Sequence, residues 1–303
     1  MKEIDPRVYV DLESLLKIPS SMVKTYFPVA RSLQSILLGR FKSKIKGQGL
    51  MFEEIRPYHI GDNVRHIDWK ISSKLRAPHV RTYLEEKDRP IYVLVDQRNS
   101  MFFGSHYKMK SVVACELASL VLTIGNKQKE KVGGIVLGNS SFKFMPASNS
   151  RKKIRRFTEI LKDYNHKLPS NISASSAKAF YYFLDKLSSQ LRRSKLIVII
   201  SDFYDLDERS LKILKKMSQD NNIVALLIRD KLEYKLPQIE NWVCSNGEQF
   251  LRLSDRDSIY TDFKDSMALE IKEIESKLGA YNIPLVSFNT DTDIWQQIIR
   301  GIN

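Results

Sequence analysis

The sequence predicts an α/β fold: a doubly wound, mostly parallel sheet with a small N-terminal β-containing subdomain. Two observations lead there. From residue 91 onward, short apolar runs alternate with longer segments whose apolar residues recur at helical spacing. Several of those runs, such as Leu196-Ile-Val-Ile-Ile200, are continuously apolar rather than alternating, as expected of strands covered on both faces. Strand–helix alternation with short connections favours parallel pairing by crossover helices.

Taken in order, residues 91–95 read as the first strand of this unit. A helix follows from about residue 107, with Met109, Val113, Leu117, Leu120, Val121 and Ile124 on one side and Gly125-Asn126 placed to cap it. Residues 132–137 and 142–145 form two strands around a Gly138-Asn-Ser turn. A basic surface helix spans residues 151–164. The next helix carries Ala177, Phe180, Tyr181, Leu184, Leu187 and Leu191 on its stripe and leads into a strand at 196–200. A helix at 208–219 and a strand at 223–228 come next, then an irregular excursion with Leu236-Pro237 and an Asn246-Gly247 hairpin turn. A helix over 257–278 places Phe263, Met267, Ile271, Ile274 and Leu278 together. A strand at 285–288 and a helix at 294–299 finish the chain.

Before residue 90 the pattern differs. Residues 12–16 and 29–38 favour helix, whereas 41–83 are Gly- and charge-rich with short β-like pieces. Residues 1–89 are therefore expected to form N-terminal helices and a small β-containing subdomain, and residues 90–303 the α/β domain.

The chain of 303 residues is 43% hydrophobic and 28% charged, the composition of a globular protein. A chain of this size buries about 75% of its unfolded surface. Its opening residues lack a signal-peptide pattern, and its apolar runs are far short of the ~20 residues that span a bilayer. The expected location is the cytoplasm. Two cysteines, Cys115 and Cys244, lie far apart, and five histidines show no metal-ligand spacing, so a disulfide framework or zinc site is not expected. The net charge is +14, with basic runs at residues 40–46, 151–156, 192–195 and 212–216. Such a balance suits an anionic surface or nucleic acid, and equally the solvated faces of surface helices.

Two clusters of residues stand out as candidate sites. In the doubly wound order the strands ending at Val95 and Ile200 are neighbours at the switch point, which brings Asp96 and Asp202 into one crevice. Two carboxylates there need a cation or a shared proton. The second cluster is Arg56, Tyr58, Asp62, Arg65, Asp68, Trp69 and Arg81. Gly61-Asp62 suits a tight turn, Arg65 and Asp68 are spaced to pair in a helix, and the Trp69 ring suits an apolar anchor. This cluster serves either as a folding and packing network or as a partner-binding surface. Neither cluster contains a nucleophile–base pair, and no catalytic residue is assigned. The phosphate loop, dinucleotide fingerprint and nucleophile elbow are missing from the sequence, so ATP hydrolysis by this chain is not expected.

Residues 52–101, together with Ser201-Asp202-Phe203, resemble the bacterial family called domain of unknown function fifty-eight, whose core is similar to a von Willebrand factor type A domain. That resemblance implies a Mg²⁺ site built from an Asp-x-Ser-x-Ser loop, a Thr and a third-loop Asp. Here Asp96 and Ser100 stand at the ends of the first loop and Asp202 in the third. Ser175 stands either in the Thr position or as a helix cap. Arg98 replaces the middle Ser, so Mg²⁺ is expected to bind weakly or not at all. The guanidinium either projects elsewhere or takes the cation's place, where a partner's acidic side chain would meet it. The resemblance also implies a partner, an AAA+ ATPase of the MoxR type, and a non-enzymatic adaptor role. The alternatives are a nucleic-acid- or membrane-surface-binding protein and an enzyme using the Asp96/Asp202 crevice.

Overall fold

The computed structural model describes residues 5–17, 51–84, 90–168, 178–191, 195–233, 242–245, 250–253 and 257–300. The expected helix at 29–38, the basic runs at 40–46 and 192–194, Ser175, Leu236-Pro237 and the Asn246-Gly247 turn lie outside these residues. Contacts divide the chain into two compact units, Gly39–Asp88 and the remainder.

The larger unit holds a six-stranded sheet. Its strands are β3 (Ile91–Asp96), β4 (Val132–Leu137), β5 (Phe142–Ser148), β6 (Leu196–Ser201), β7 (Asn222–Arg229) and β10 (Leu285–Asn289), in the order β10-β7-β6-β3-β4-β5. All neighbours are parallel except β4 and β5. β5 carries Pro146 and lies at an edge, where a missing amide donor is tolerated. The order reverses between β3 and β6, where Val95 faces Ile200. A separate antiparallel hairpin joins β8 (Trp242–Ser245) to β9 (Phe250–Leu253).

Alternate residues of the central strands supply two cores. Val93, Val95, Val198 and Ile200 pack with α3 (Lys110–Lys127), α4 (Arg151–Lys167) and α8 (Ile294–Arg300). Tyr92, Leu94, Ile197 and Ile199 pack with α5 (Phe180–Gln190), α6 (Glu208–Asp220) and α7 (Asp257–Gly279). Helices on both faces explain why the strands are apolar at every position. The sheet is doubly wound, as the sequence predicts.

Three local differences have clear causes. Gly125 lies inside α3 rather than capping it; a Cβ there would come within 2.5 Å of Val132 Cγ1, so the glycine permits close approach of helix and strand. Gly134 makes room in the same way for the Phe157 ring, 2.0 Å from where its Cβ would stand. The N-terminal segment, expected to group with the small subdomain, packs into the larger unit. Val10 and Leu15 of that segment, the latter in α1 (Leu12–Leu16), join the core, and the Val10 amide donates to Asn165 Oδ1 at 2.9 Å.

The smaller unit pairs β1 (Met51–Pro57) antiparallel with β2 (His79–Leu84), and α2 (Trp69–Leu75) lies between them in sequence. Gly61 has φ +106°, the left-handed conformation that the tight turn requires.

A candidate site with built-in cations

Asp96 ends β3 and Asp202 follows the last residue of β6, so the two expected carboxylates sit at adjacent strand ends. Both are buried. Each has a cation of its own.

Asp96 is gripped by Arg98. The guanidinium donates from Nε to Oδ1 at 3.0 Å and from Nη2 to Oδ2 at 2.7 Å, and the Arg98 amide also reaches Oδ1 at 3.0 Å. Ser201 Oγ donates to Oδ2 at 2.7 Å. The other edge of the guanidinium holds Asp205, with Nη1–Oδ2 at 2.7 Å and Nη2–Oδ1 at 2.8 Å. Such fork-to-carboxylate pairs are the stronger kind of ionic hydrogen bond. Phe180 lies under the guanidinium, 5.1 Å from ring centroid to Cζ. Burial opposes the charge on Arg98, but Asp96 and Asp205 outweigh it and raise its pKa. Asp205 also accepts the Phe180 amide at 2.8 Å, capping α5 from a distant loop. Phe203, buried at φ +53°, packs edge-on against Phe180 and fixes the intervening turn.

Asp202 is held by Lys110, whose Nζ donates to Oδ2 at 2.8 Å and to Glu233 Oε1 at 2.6 Å. The Ser100 hydroxyl and the Tyr204 amide complete its partners. Burial pushes the Asp202 carboxyl up, and Lys110 with these hydrogen bonds brings it below the usual carboxylate range. Lys110 is likewise opposed by burial and raised by Asp202 and Glu233.

The donor set therefore does not fit Mg²⁺. A hard dication needs several free oxygens in near-octahedral array, whereas both aspartates are already occupied by a guanidinium and an ammonium. Ser175 lies outside the described residues. Among the described residues no group of three or more acidic, His or Cys side chains is placed to hold a metal.

The sequence reading placed Asp96, Ser100 and Asp202 at one strand-end site and gave Arg98 the cation's position as one option. It missed Lys110 and Asp205. Lys110 carries a readable signal: it is three residues before Val113, on the apolar stripe of a helix where 14 residues are buried. A lysine there needs buried carboxylates.

In the smaller unit, Arg56 and Asp62 form a bidentate pair at 2.8 and 2.7 Å across the Gly61 turn, and the His59 amide donates to Asp62 at 2.8 Å. These bonds hold the Asp62 carboxyl down at about 2. Asp68 caps α2 through the Lys70 and Ile71 amides and pairs with Arg81 at 2.7 Å. Arg81 first, then these amides, lowers its pKa. The expected Arg65–Asp68 pair does not form: residues 64–66 make a 3₁₀ turn that leaves Arg65 exposed. Trp69, expected to bury its ring, is 69% exposed at the first turn of α2. Tyr58 is half-buried, with its amide bonded to the Pro78 carbonyl at 2.8 Å. Most of this cluster is a network that shapes a small β unit.

The strand order and the two aspartates at its reversal define the class, a doubly wound α/β domain with cations built into its carboxylate site. The chain belongs to the family described as Protein of unknown function DUF58, whose family model matches residues 54–268. It is 23% identical over 288 residues to the uncharacterised protein Rv1480 of Mycobacterium tuberculosis, covering 94% of this chain and 89% of that one. Among solved structures it is similar to the conserved hypothetical protein BatB from Bacteroides thetaiotaomicron, with 10% identity, TM-score 0.42, and 70% and 96% of the two chains covered. The SpRpn10 VWA domain is also similar, with 12% identity, TM-score 0.35, and coverage of 70% and 94%.

Proposed function

We propose that this chain is a cytoplasmic, non-enzymatic adaptor that works with a MoxR-type AAA+ ATPase in a chaperone-like role. One observation carries the non-enzymatic part. Asp96 and Asp202, the carboxylates at the switch point, are each neutralised by an internal cation, Arg98 and Lys110. A general base must be within reach of a substrate proton and free to accept it; these two are buried and fully engaged. What the same edge of the sheet offers outward is a rim with exposed aromatic side chains. Tyr204 is 78% exposed, Phe103 40% and Tyr107 38%. Exposed tyrosine and phenylalanine suit protein recognition. The ATPase as partner is supplied by the family resemblance.

A pull-down from the native cell with ATP present and absent tests the reading. Recovery of an AAA+ ATPase, reduced by Tyr204→Ser with stability unchanged, is the expected result. A second reading rests on the net charge of +14: the basic surface binds nucleic acid or an anionic membrane. Phosphate-driven binding falls steeply with salt. Failure to recover any AAA+ ATPase, together with DNA or RNA binding of steep salt slope, would refute the adaptor.

A further inference from the structure

Arg229, the last residue of β7, is an anomaly that the adaptor role leaves unexplained. Its side chain is only 7% exposed, yet none of its N–H groups hydrogen-bonds to an oxygen among the described residues. Among the described residues Nε has no hydrogen-bond partner. Glu233 lies 3.5 Å from Nε, but both of its oxygens are engaged elsewhere, Oε1 by Lys110 and Oε2 by the Asp230 amide. Glu270 stands 3.9 Å from Nη1, beyond hydrogen-bond range, and is 36% exposed. Nη2 meets the Met267 sulfur at 3.7 Å, and a thioether is a weak acceptor. Buried guanidinium groups are ordinarily satisfied by oxygens.

Arg229 lines a space. A cavity of about 290 Å³ is lined by Asp202, Tyr204, Arg229, Glu233, Met267 and Glu270. It opens at the carboxyl ends of β6 and β7, the edge where open α/β sheets receive ligands. Its volume is near the lower end for small-molecule sites, about 300 Å³. Met267, the Tyr204 ring and the aliphatic stems give an apolar wall, and among the described residues Arg229 is the one cation in a lining that also holds Asp202, Glu233 and Glu270.

We propose that this cavity binds a monocarboxylate with a compact apolar body, the carboxylate taking the Nη1 and Nη2 donors of Arg229 and the body lying against Met267 and Tyr204. A guanidinium fork matches a carboxylate bidentately. Asp202 and Glu233 balance Lys110 and Arg229, and Glu270 adds one negative charge, so a monoanion that displaces Glu270 into solvent leaves the local charge unchanged, whereas a dianion such as phosphate adds like charge. Glu270, loosely placed and partly in solvent, is the group an incoming carboxylate displaces from the guanidinium. The carboxylate has two sources, a free small acid or an acidic side chain of a polypeptide.

Isothermal titration of the full chain decides it, with benzoate and 3-methylbutyrate as probes, benzamide and 3-methylbutyramide as neutral matches, and inorganic phosphate. Saturable binding of a carboxylate, at least about tenfold tighter than its amide, is expected, since a hydrogen bond to a charged group contributes about 1.5–3 kcal/mol. Phosphate should be silent. Arg229→Met should abolish binding, and Glu270→Gln, on the surface of α7, should tighten it several-fold. An acetylated Gly-Glu-Gly peptide binding in place of the free acids assigns the source to a polypeptide; the reverse assigns a small molecule. Absence of saturation by every carboxylate, equal binding of acid and amide, or binding unmoved by both variants would overturn the proposal.

Discussion

Lys110→Met tests the idea that cations are built into the switch point. The variant keeps the length and most of the volume of the side chain and removes only its charge. Lys110 and Asp202 side chains are each 3% exposed, and the ammonium sits 2.8 Å from Asp202 and 2.6 Å from Glu233. Removing one partner of a buried ion pair costs about 3–5 kcal/mol, because the other charge is left uncompensated. Two carboxylates depend on this lysine, so the upper half of that range is expected, about 4–5 kcal/mol. With a urea m-value of about 3 kcal/mol/M, the unfolding midpoint should fall by roughly 1.5 M. The pH dependence gives a second check. In the native chain the Asp202 pKa lies below the usual carboxylate range. A depressed carboxylate contributes stability above the unfolded pKa and loses it as pH falls through the folded one. In the variant burial, the largest influence, is opposed only by the Ser100 and Tyr204 hydrogen bonds and pushes Asp202 up, which reverses the sign: protonation then relieves the buried charge. The stability gap between native and variant should therefore narrow as pH is lowered from 7 towards 5. A loss below about 1 kcal/mol, or a gap that widens on acidification, would show that Lys110 does not neutralise Asp202.

Asp205→Ala removes two bonds to Arg98 and the cap on Phe180, but leaves Asp96 paired; a loss of about 2–3 kcal/mol is expected in urea unfolding, smaller than for Arg98→Ala. Mg²⁺ should give no heat with the native chain in isothermal titration, whereas Arg98→Ser, which frees Asp96 and restores a hydroxyl, should bind it measurably. Tight native binding lost in Asp96→Ala would contradict the donor-set argument. In the smaller unit, the carboxyl carbon signal of Asp62 should hold its ionised shift until the pH approaches about 2, and Arg56→Gln should move that titration upward. A native titration in the ordinary carboxylate range would break the assignment of the turn.

How much of this was legible depends on the range of the interactions. Strands β3, β6 and β7 are apolar between polar ends because helices cover both faces, and that local pattern, with the strand order supplied by fold analogy, was enough to place Asp96 and Asp202 at neighbouring strand ends. The Gly61-Asp62 turn was equally readable, since the turn demands those residue types. The misreadings came where a partner is distant in sequence. Arg65 and Asp68 are spaced to pair only if that piece is helical, but residues 64–66 form a 3₁₀ turn and the partner of Asp68 is Arg81, thirteen residues on. Trp69 looked like an anchor by its size alone, and size does not say which side of a helix faces the core.

Arg98 and Lys110 make the sharper case, because together they alter what the site means. From the sequence, Arg98 reads as damage to a metal loop. In the fold it is one of a matched pair, with Lys110 supplied by the next helix and Asp205 by a loop 107 residues away in the chain. A site that had merely lost its metal would keep two buried carboxylates in mutual repulsion, and such a pair is costly without a counter-charge. Here each carboxylate has its own permanent cation, fixed covalently to the chain. The charge that a soluble metal would bring and withdraw is therefore always present. A switch-point edge organised in this way carries its counter-charges within the chain, so its charge balance does not depend on the concentration of divalent ions.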